Sequence, residues 1–133
     1  MKKLFIVSII LVLIDQISKY LMTDRKLTEG FISLSYTTNK GAAFGLLQGW
    51  QWLFIVITVM VIAGIFYYYK DIKRKEGFML LLAGSIGNLI DRVFLGYVRD
   101  FISVNYFSVF NLADAFNVIG VGLIIYFYWK ESS

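Results

Sequence analysis

Apolar residues are gathered in four long runs, separated by shorter polar segments. The runs are Leu4–Met22, Trp50–Tyr69, Gly77–Leu95 and Leu112–Trp129. Each has about 18–20 residues, the length with which an α-helix crosses a hydrocarbon core of roughly 30 Å. The pattern predicts one membrane domain over residues 1–133, with helices at about 4–22, 50–69, 77–95 and 112–129.

Two segments between these runs have the composition of strands. Phe31–Thr37 and Val104–Phe110 are rich in β-branched and aromatic residues, and the first alternates as a half-buried strand does. We expect a small β-sheet resting on the outer membrane surface, formed from residues 30–47 and 98–110. The predicted fold class is therefore an all-α membrane protein with four transmembrane helices and a small extracytoplasmic sheet.

Composition supports a membrane protein and excludes several kinds of chemistry. The chain is 59% hydrophobic, with a mean hydropathy of +0.70, and it contains no Cys and no His. Disulfides, thiol nucleophiles, Ser-His catalysis and His- or Cys-ligated zinc are excluded. Hydrolytic chemistry must then use carboxylates, lysine or hydroxyls.

The net charge of +4 is explained by topology rather than by nucleic-acid binding. Basic residues concentrate in Lys2–Lys3, in the loop 70–76 and at Lys130. Short loops rich in Lys and Arg stay in the cytoplasm. With four spans, both termini and loop 70–76 lie inside, and the other two loops lie outside.

Ionisable residues inside the runs lie toward their outer ends. A charge at the centre of a spanning helix costs about 2.5–3.5 kcal/mol on insertion scales, so each one needs a reason. The outer leaflet receives Asp15 and Lys19 from the first run, Asp91 and Arg92 from the third, Asp100 from the loop and Asp114 from the fourth. Convergence of several chain segments at one depth favours a functional site.

Structural explanations stay open for each of these residues. Asp15 and Lys19 have the i,i+4 spacing of a helical ion pair. Asn111 and Asp114 fit an N-cap with a carboxylate at the third helical position. Asp100 could equally be a solvated charge in a loop. Asp91 and Arg92 could equally mark the end of a helix.

Two carboxylates at a water–lipid boundary can activate water without a metal, since one acts as the base and the other as the acid. A Ser–Lys dyad is the remaining hydrolytic route. Ser18 and Lys19 are neighbours on a helix and point to different faces, which argues against it.

Five ordered motifs resemble those of the bacterial lipoprotein signal peptidases, also called signal peptidase II. They are Asp15–Lys19, Asn39–Gly45, Gly84–Arg92, Val98–Phe101 and Phe110–Asp114. The resemblance covers the chain from the first helix to the fourth. It implies an aspartic endopeptidase of the bacterial plasma membrane that cuts prolipoproteins before a diacylglyceryl-modified cysteine, at the extracytoplasmic face.

The resemblance also implies roles for particular residues. The catalytic aspartates fall on Asp100 and Asp114. The supporting and substrate-binding positions are Asp15, Lys19, Asn39, Gly41, Asn88, Arg92 and Asn111. Lys19 and Arg92 would neutralise neighbouring carboxylates or orient substrate carbonyls. We expect no cofactor, no metal and no nucleic acid, a monomer in contact with membrane lipid, and inhibition by globomycin-type cyclic peptides.

Three other functions could explain the same residues. A small ion- or proton-coupled transporter would use the carboxylates as a relay. Its polar groups should then occur at every depth of the bilayer, but the inner halves of the runs are almost purely apolar. A structural membrane subunit leaves the clustering unexplained. A presenilin-like protease requires a Gly-x-Gly-Asp motif, which the chain lacks.

Overall fold

The computed structural model describes residues 2–42 and 46–132. In chain order its elements are α1 (Lys2–Met22), β1 (Ile32–Asn39), α2 (Gln51–Tyr68), α3 (Glu76–Leu95), β2 (Val98–Val104), β3 (Val109–Phe110) and α4 (Leu112–Ser132). All four helices are long and apolar enough to cross a membrane, and the strands form one small sheet. The four transmembrane helices and the small sheet of the predicted fold class are thus confirmed, and the position of the sheet on the outer side of the membrane stays a prediction. The last three residues of the motif Asn39–Gly45 lie outside the described residues.

The helices turn most of their apolar side chains outward. Ile65 is the one residue of α2 that is buried, while Trp52 and Met60 on the same helix are exposed. A helix that is apolar all round and exposed to this extent needs lipid as its solvent.

Helix α3 is the centre of the bundle, because the other three helices pack against it. Small residues allow the closest of these approaches. A Cβ atom on Gly77 would lie 2.6 Å from the carbonyl oxygen of Gly120 on α4, and one on Gly84 would collide with the carbonyl of Ala113. Such contacts between small residues are how transmembrane helices bring their backbones together.

The three strands form an antiparallel sheet in the order β1-β2-β3. The prediction of one strand over Val104–Phe110 is wrong, because the chain turns between β2 and β3. Tyr106 takes up a positive φ of 63°, and the Phe107 amide donates to the carbonyl of Val104 at 3.0 Å. This turn contains neither Gly nor Pro, and its turn-forming residues Asn105 and Ser108 are only a weak signal among the aromatic residues beside them.

The sheet register places polar residues of β1 beside Asp100. Asn39 pairs with Val98 and Thr37 with Asp100, after an irregularity between Leu34 and Thr37. Val98 and Phe101 are buried and hold β2 to the bundle. The end of the bundle that carries the sheet is called the sheet end below.

Candidate active site

Polar side chains from five elements converge at the sheet end. Helix α1 supplies Asp15, Gln16 and Lys19; α3 supplies Asn88, Asp91 and Arg92; α4 and the residue before it supply Asp114 and Asn111; the strands supply Asn39, Arg99 and Asp100. Several of them are almost completely shielded, with exposed fractions of 0% for Lys19 and Asp15 and 2% for Asp100. Buried charges of this kind must be paired and hydrogen-bonded.

Lys19 is the buried cation of the cluster. Its Nζ lies 2.8 Å from a carboxylate oxygen of Asp15 and 3.6 Å from one of Asp91. It also donates to the side-chain oxygen of Asn88 at 3.1 Å and to the carbonyl of Gly87 at 3.4 Å. The ion pair expected from the i,i+4 spacing is therefore formed, and Lys19 joins α1 to α3.

A second cation, Arg99, ties β2 to α3. Its guanidinium lies 2.8 Å from one oxygen of Asp91 and 3.1 Å from the other, and its backbone amide also donates to Asp91 at 2.9 Å. Gln16 completes this arrangement, since it accepts from Arg99 at 2.8 Å and donates to Asp91 at 3.2 Å. These contacts fix the strand that carries Asp100.

The start of α4 is capped by the side chains of Asn111, Asp114 and Asp15. Asn111 and Asp114 exchange hydrogen bonds: the Asp114 amide donates to the Asn111 side chain at 2.9 Å, and the Asn111 amide donates to Asp114 at 3.0 Å. The Ala113 amide donates to Asp15 at 2.9 Å. The predicted N-cap is present, and Asp15 also anchors this helix start.

Asn111 links the carboxylates of Asp100 and Asp114. Its amide nitrogen Nδ2 donates to Asp100 at 2.8 Å, while its backbone amide holds Asp114. Asn39 donates to the other oxygen of Asp100 at 3.2 Å, and Asn88 donates to Asp114 at 2.8 Å. Amide donors thus orient both carboxylates. The interpretation of Asp100 as a solvated loop charge is wrong, because this side chain is buried and held by two amides.

The electrostatic environment of Asp100 favours its protonated form. Burial, and then the nearby negative charge of Asp114, raise the pKa of Asp100 to about 7, against the lowering effect of the amides from Asn39 and Asn111. The raised pKa favours a proton on Asp100 near neutral pH. General acid–base catalysis by two carboxylates requires one protonated member of the pair.

Of the two roles expected for Arg92, direct neutralisation of a carboxylate is not seen among the residues that the structure describes, and orientation of a substrate carbonyl stays a prediction. Its guanidinium donates to the carbonyl of Gly41 at 3.4 Å and lies 5.0 Å above the ring of Phe54. In the described part of the chain it forms no ion pair within 4.0 Å, although Asp114 and Asp100 act on it electrostatically. Neutralisation of a carboxylate by direct contact is done by Lys19 and Arg99 instead.

Two cavities meet at the carboxylates. One, of about 560 Å³, is lined mainly by apolar side chains of β3 and α4, and Asp114 lies in its wall. The other, of about 260 Å³, is lined by Thr37, Thr38, Gln48 and Asp100 together with residues 107–109. Asn39 and residues 107–109 contribute to both cavities. The two cavities are therefore neighbours, with Asp114 in the wall of one and Asp100 in the wall of the other.

Gln16 and Arg99 belong to the cluster although the sequence did not indicate either of them as a site residue. Asp91 was expected only as one of the charges that converge at the outer leaflet, and it shares a helical face with Asn88, three residues earlier. Arg99 and Asp100 alternate across β2, and their separate roles follow from that alternation. Nothing in the sequence indicates that Arg99 reaches Asp91.

The fold and the cluster together define a multi-pass membrane protein with a buried carboxylate site at one end of its helix bundle. Residues 7–130 match the family described as Signal peptidase (SPase) II, and the chain belongs to that family of bacterial membrane peptidases.

Its similarity to known members extends over nearly the whole chain. The lipoprotein signal peptidases of Streptococcus pyogenes serotypes M5 (strain Manfredo) and M2 (strain MGAS10270) are each 40% identical to it over 145 residues, covering 98% of this chain and 95% of theirs. Two solved structures of a bacterial membrane enzyme, obtained by the in meso method at 2.3 and 1.9 Å resolution, are each 32% identical. Their TM-scores are 0.88 and 0.83; the first alignment covers 100% of this chain and 91% of the other, the second 98% and 94%.

Proposed function

We propose that the protein removes signal peptides from diacylglyceryl-modified prolipoproteins, as an aspartic endopeptidase that uses Asp100 and Asp114. The observation that carries this proposal is the position of Asn111, which hydrogen-bonds to both carboxylates where the two cavities meet. Cleavage falls before the lipidated cysteine.

The reaction follows from the protonation of the pair. Asp100 holds the proton and donates it to the oxygen of the scissile carbonyl, while Asp114 takes a proton from the attacking water. The product of this step is a neutral tetrahedral diol. Asp114 then gives its proton to the departing amine, and Asp100 regains one from a hydroxyl of the diol, so both carboxyls return to their starting states.

The cavities suit the two sides of such a substrate. The apolar cavity beside α4 accommodates the signal peptide and the acyl chains, because its lining is mainly apolar. The smaller cavity, with Thr37, Thr38 and Asp100 in its lining, accommodates the start of the mature protein and admits water. In this proposal Arg92, which is in the field of both carboxylates, orients a substrate carbonyl.

The sheet end faces the outside of the cell in this proposal. Basic residues Lys70, Lys73, Arg74, Lys75 and Lys130 are gathered at the opposite end of the helices. The positive-inside rule places that end in the cytoplasm. A substrate whose signal peptide enters from the cytoplasmic side then presents its cleavage site at the sheet end.

The test uses purified protein in detergent with a diacylglyceryl-modified prolipoprotein and EDTA. We expect one cut before the lipidated cysteine, identified by mass spectrometry, and inhibition by globomycin. Cleavage of the unlipidated precursor at an equal rate would contradict the assigned substrate. Loss of activity in EDTA would show that the reaction requires a bound metal, and would contradict catalysis by the carboxylate pair alone.

A further inference from the structure

Asn117 is a polar residue in the wall of the apolar cavity. It follows Asp114 by three residues on α4, which places it on the same side of the helix and about 4.5 Å farther from the sheet end. Its neighbours in this wall include Val109, Phe110 and Val118. An amide among such side chains requires an explanation, because unpaired polar groups are costly in an apolar environment.

The carboxamide of Asn117 has a defined orientation. Its oxygen is buried and accepts no hydrogen bond from residues 2–42 or 46–132. That oxygen rests on α3, where a Cβ atom added to Gly84 would collide with it. The amide nitrogen is the other polar atom of this group, and Asn117 lines the cavity, so we infer that the nitrogen is the atom that meets a ligand there.

An amide nitrogen donates two hydrogen bonds and accepts none, so its partner must carry an acceptor. A peptide held extended at the carboxylate pair brings unpaired backbone carbonyls into this cavity. Each of these carbonyls costs free energy in an apolar environment unless a donor forms a hydrogen bond with it. The ester carbonyls of a diacylglyceryl group are acceptors of the same kind.

We propose that Asn117 is a substrate-binding residue whose amide nitrogen donates a hydrogen bond to a carbonyl oxygen of the substrate, about one helical turn from the carboxylate pair. The inference rests on the proposed function, because it assigns a role within the same cleavage reaction. The carbonyl belongs either to the signal-peptide backbone or to an acyl ester.

Asn117→Leu tests this assignment, since Leu has the branched shape of Asn, with larger terminal groups, and has no donor. One neutral hydrogen bond corresponds to about a three- to tenfold change in affinity, so KM rises by that factor. The value of kcat is unchanged, because the bond is present in both the bound substrate and the transition state. Asn117→Gln retains the donor and recovers part of the affinity.

Ser8→Ala is the matched control for loss of a buried polar group. Ser8 is buried in the other half of the bundle and donates to the carbonyl of Met79 at 3.0 Å. This change lowers the melting temperature and leaves KM unaltered. If Asn117→Leu also changed only the melting temperature, Asn117 would be a packing residue and the proposal would be overturned.

Two modified substrates distinguish the sources of the carbonyl. If the effect of Asn117→Leu disappears on a substrate whose glycerol carries ether-linked chains, the partner is an acyl ester. If it disappears on a substrate with an alkene in place of the peptide bond before the scissile one, the partner is the backbone. An effect that survives both changes overturns the proposal. If the wild-type protein cleaves and Asn117→Leu has the same KM, only this inference fails; if the wild type does not cleave, the proposed function fails with it.

Discussion

Replacement of Lys19 by Met should destabilise the protein through the charge it leaves behind. Lys19 has no exposed surface and contacts two carboxylates that are themselves 0% exposed. Asp91 keeps Arg99 at 2.8 Å after the change, so its charge stays paired. Asp15 keeps only amide donors, from Ala113 at 2.9 Å and Gln16 at 3.1 Å. The uncompensated charge is therefore that of Asp15.

Loss of one partner from a buried ion pair costs about 3–5 kcal/mol, and we expect Lys19→Met to lie in that range. Asp15→Asn removes the stranded charge while keeping an oxygen for the Ala113 amide. The double variant should thus be more stable than the sum of the single changes predicts, with a coupling energy of about 2 kcal/mol or more.

The free energy of unfolding, measured in mixed detergent micelles, gives this coupling. Lys26→Met is the matched control, because Lys26 forms a 2.7 Å ion pair with Glu29 on the surface, where the two side chains are 62% and 81% exposed. A surface pair contributes at most about 1 kcal/mol. Additive single effects, or a Lys19→Met cost no larger than that of Lys26→Met, would refute the reasoning.

Three further predictions concern the carboxylates, the helix packing and the topology. The cleavage rate should fall about tenfold per pH unit above about pH 7, as Asp100 loses its proton. Asn39→Ala should move this fall in rate to higher pH, because the Asn39 hydrogen bond lowers the pKa of Asp100. A fall that occurs at the same pH in the variant would contradict the assignment. Gly120→Ala should destabilise the protein by about 1–3 kcal/mol, since its Cβ would lie 2.7 Å from the Gly77 carbonyl. Gly122→Ala is the control and should not destabilise the protein, because no atom of the described residues, apart from its own helix backbone, lies within 4 Å of a Cβ at that position. In intact cells an impermeant thiol reagent should label Glu29→Cys and not Arg74→Cys. The reverse pattern would show that the proposed orientation in the membrane is wrong.

The sequence predicted those features that depend on local spacing. Run lengths identified the helices, the i,i+4 spacing identified the pair of Asp15 and Lys19, and the spacing of Asn111 and Asp114 identified the helix cap. The ion pair and the cap each rest on residues within about one helical turn, and the run lengths rest on contiguous sequence, so their geometry follows directly from the chain.

Features that join distant segments were not predictable in this way. Arg92 and Arg99 are both close to Asp91 in sequence, but only Arg99 pairs with it, because successive helical residues point about 100° apart and the chain turns at Gly96 before β2. The hairpin at Tyr106 has no Gly or Pro to mark it. The positions of the predicted site residues are known from the structure, whereas their catalytic roles stay predictions.

The central claim is that Asp100 and Asp114 act as one catalytic unit, and the rates of Asp100→Asn and Asp114→Asn test it most directly. Asn keeps the size of each side chain and removes the ionisable group, so each change should lower the cleavage rate of a diacylglyceryl-modified prolipoprotein by about 10³-fold or more. The double variant should be little slower than either single one, since residues that act together are not additive. Melting temperatures near that of the wild type establish that both variants are folded. Substantial cleavage by either single variant would contradict the account.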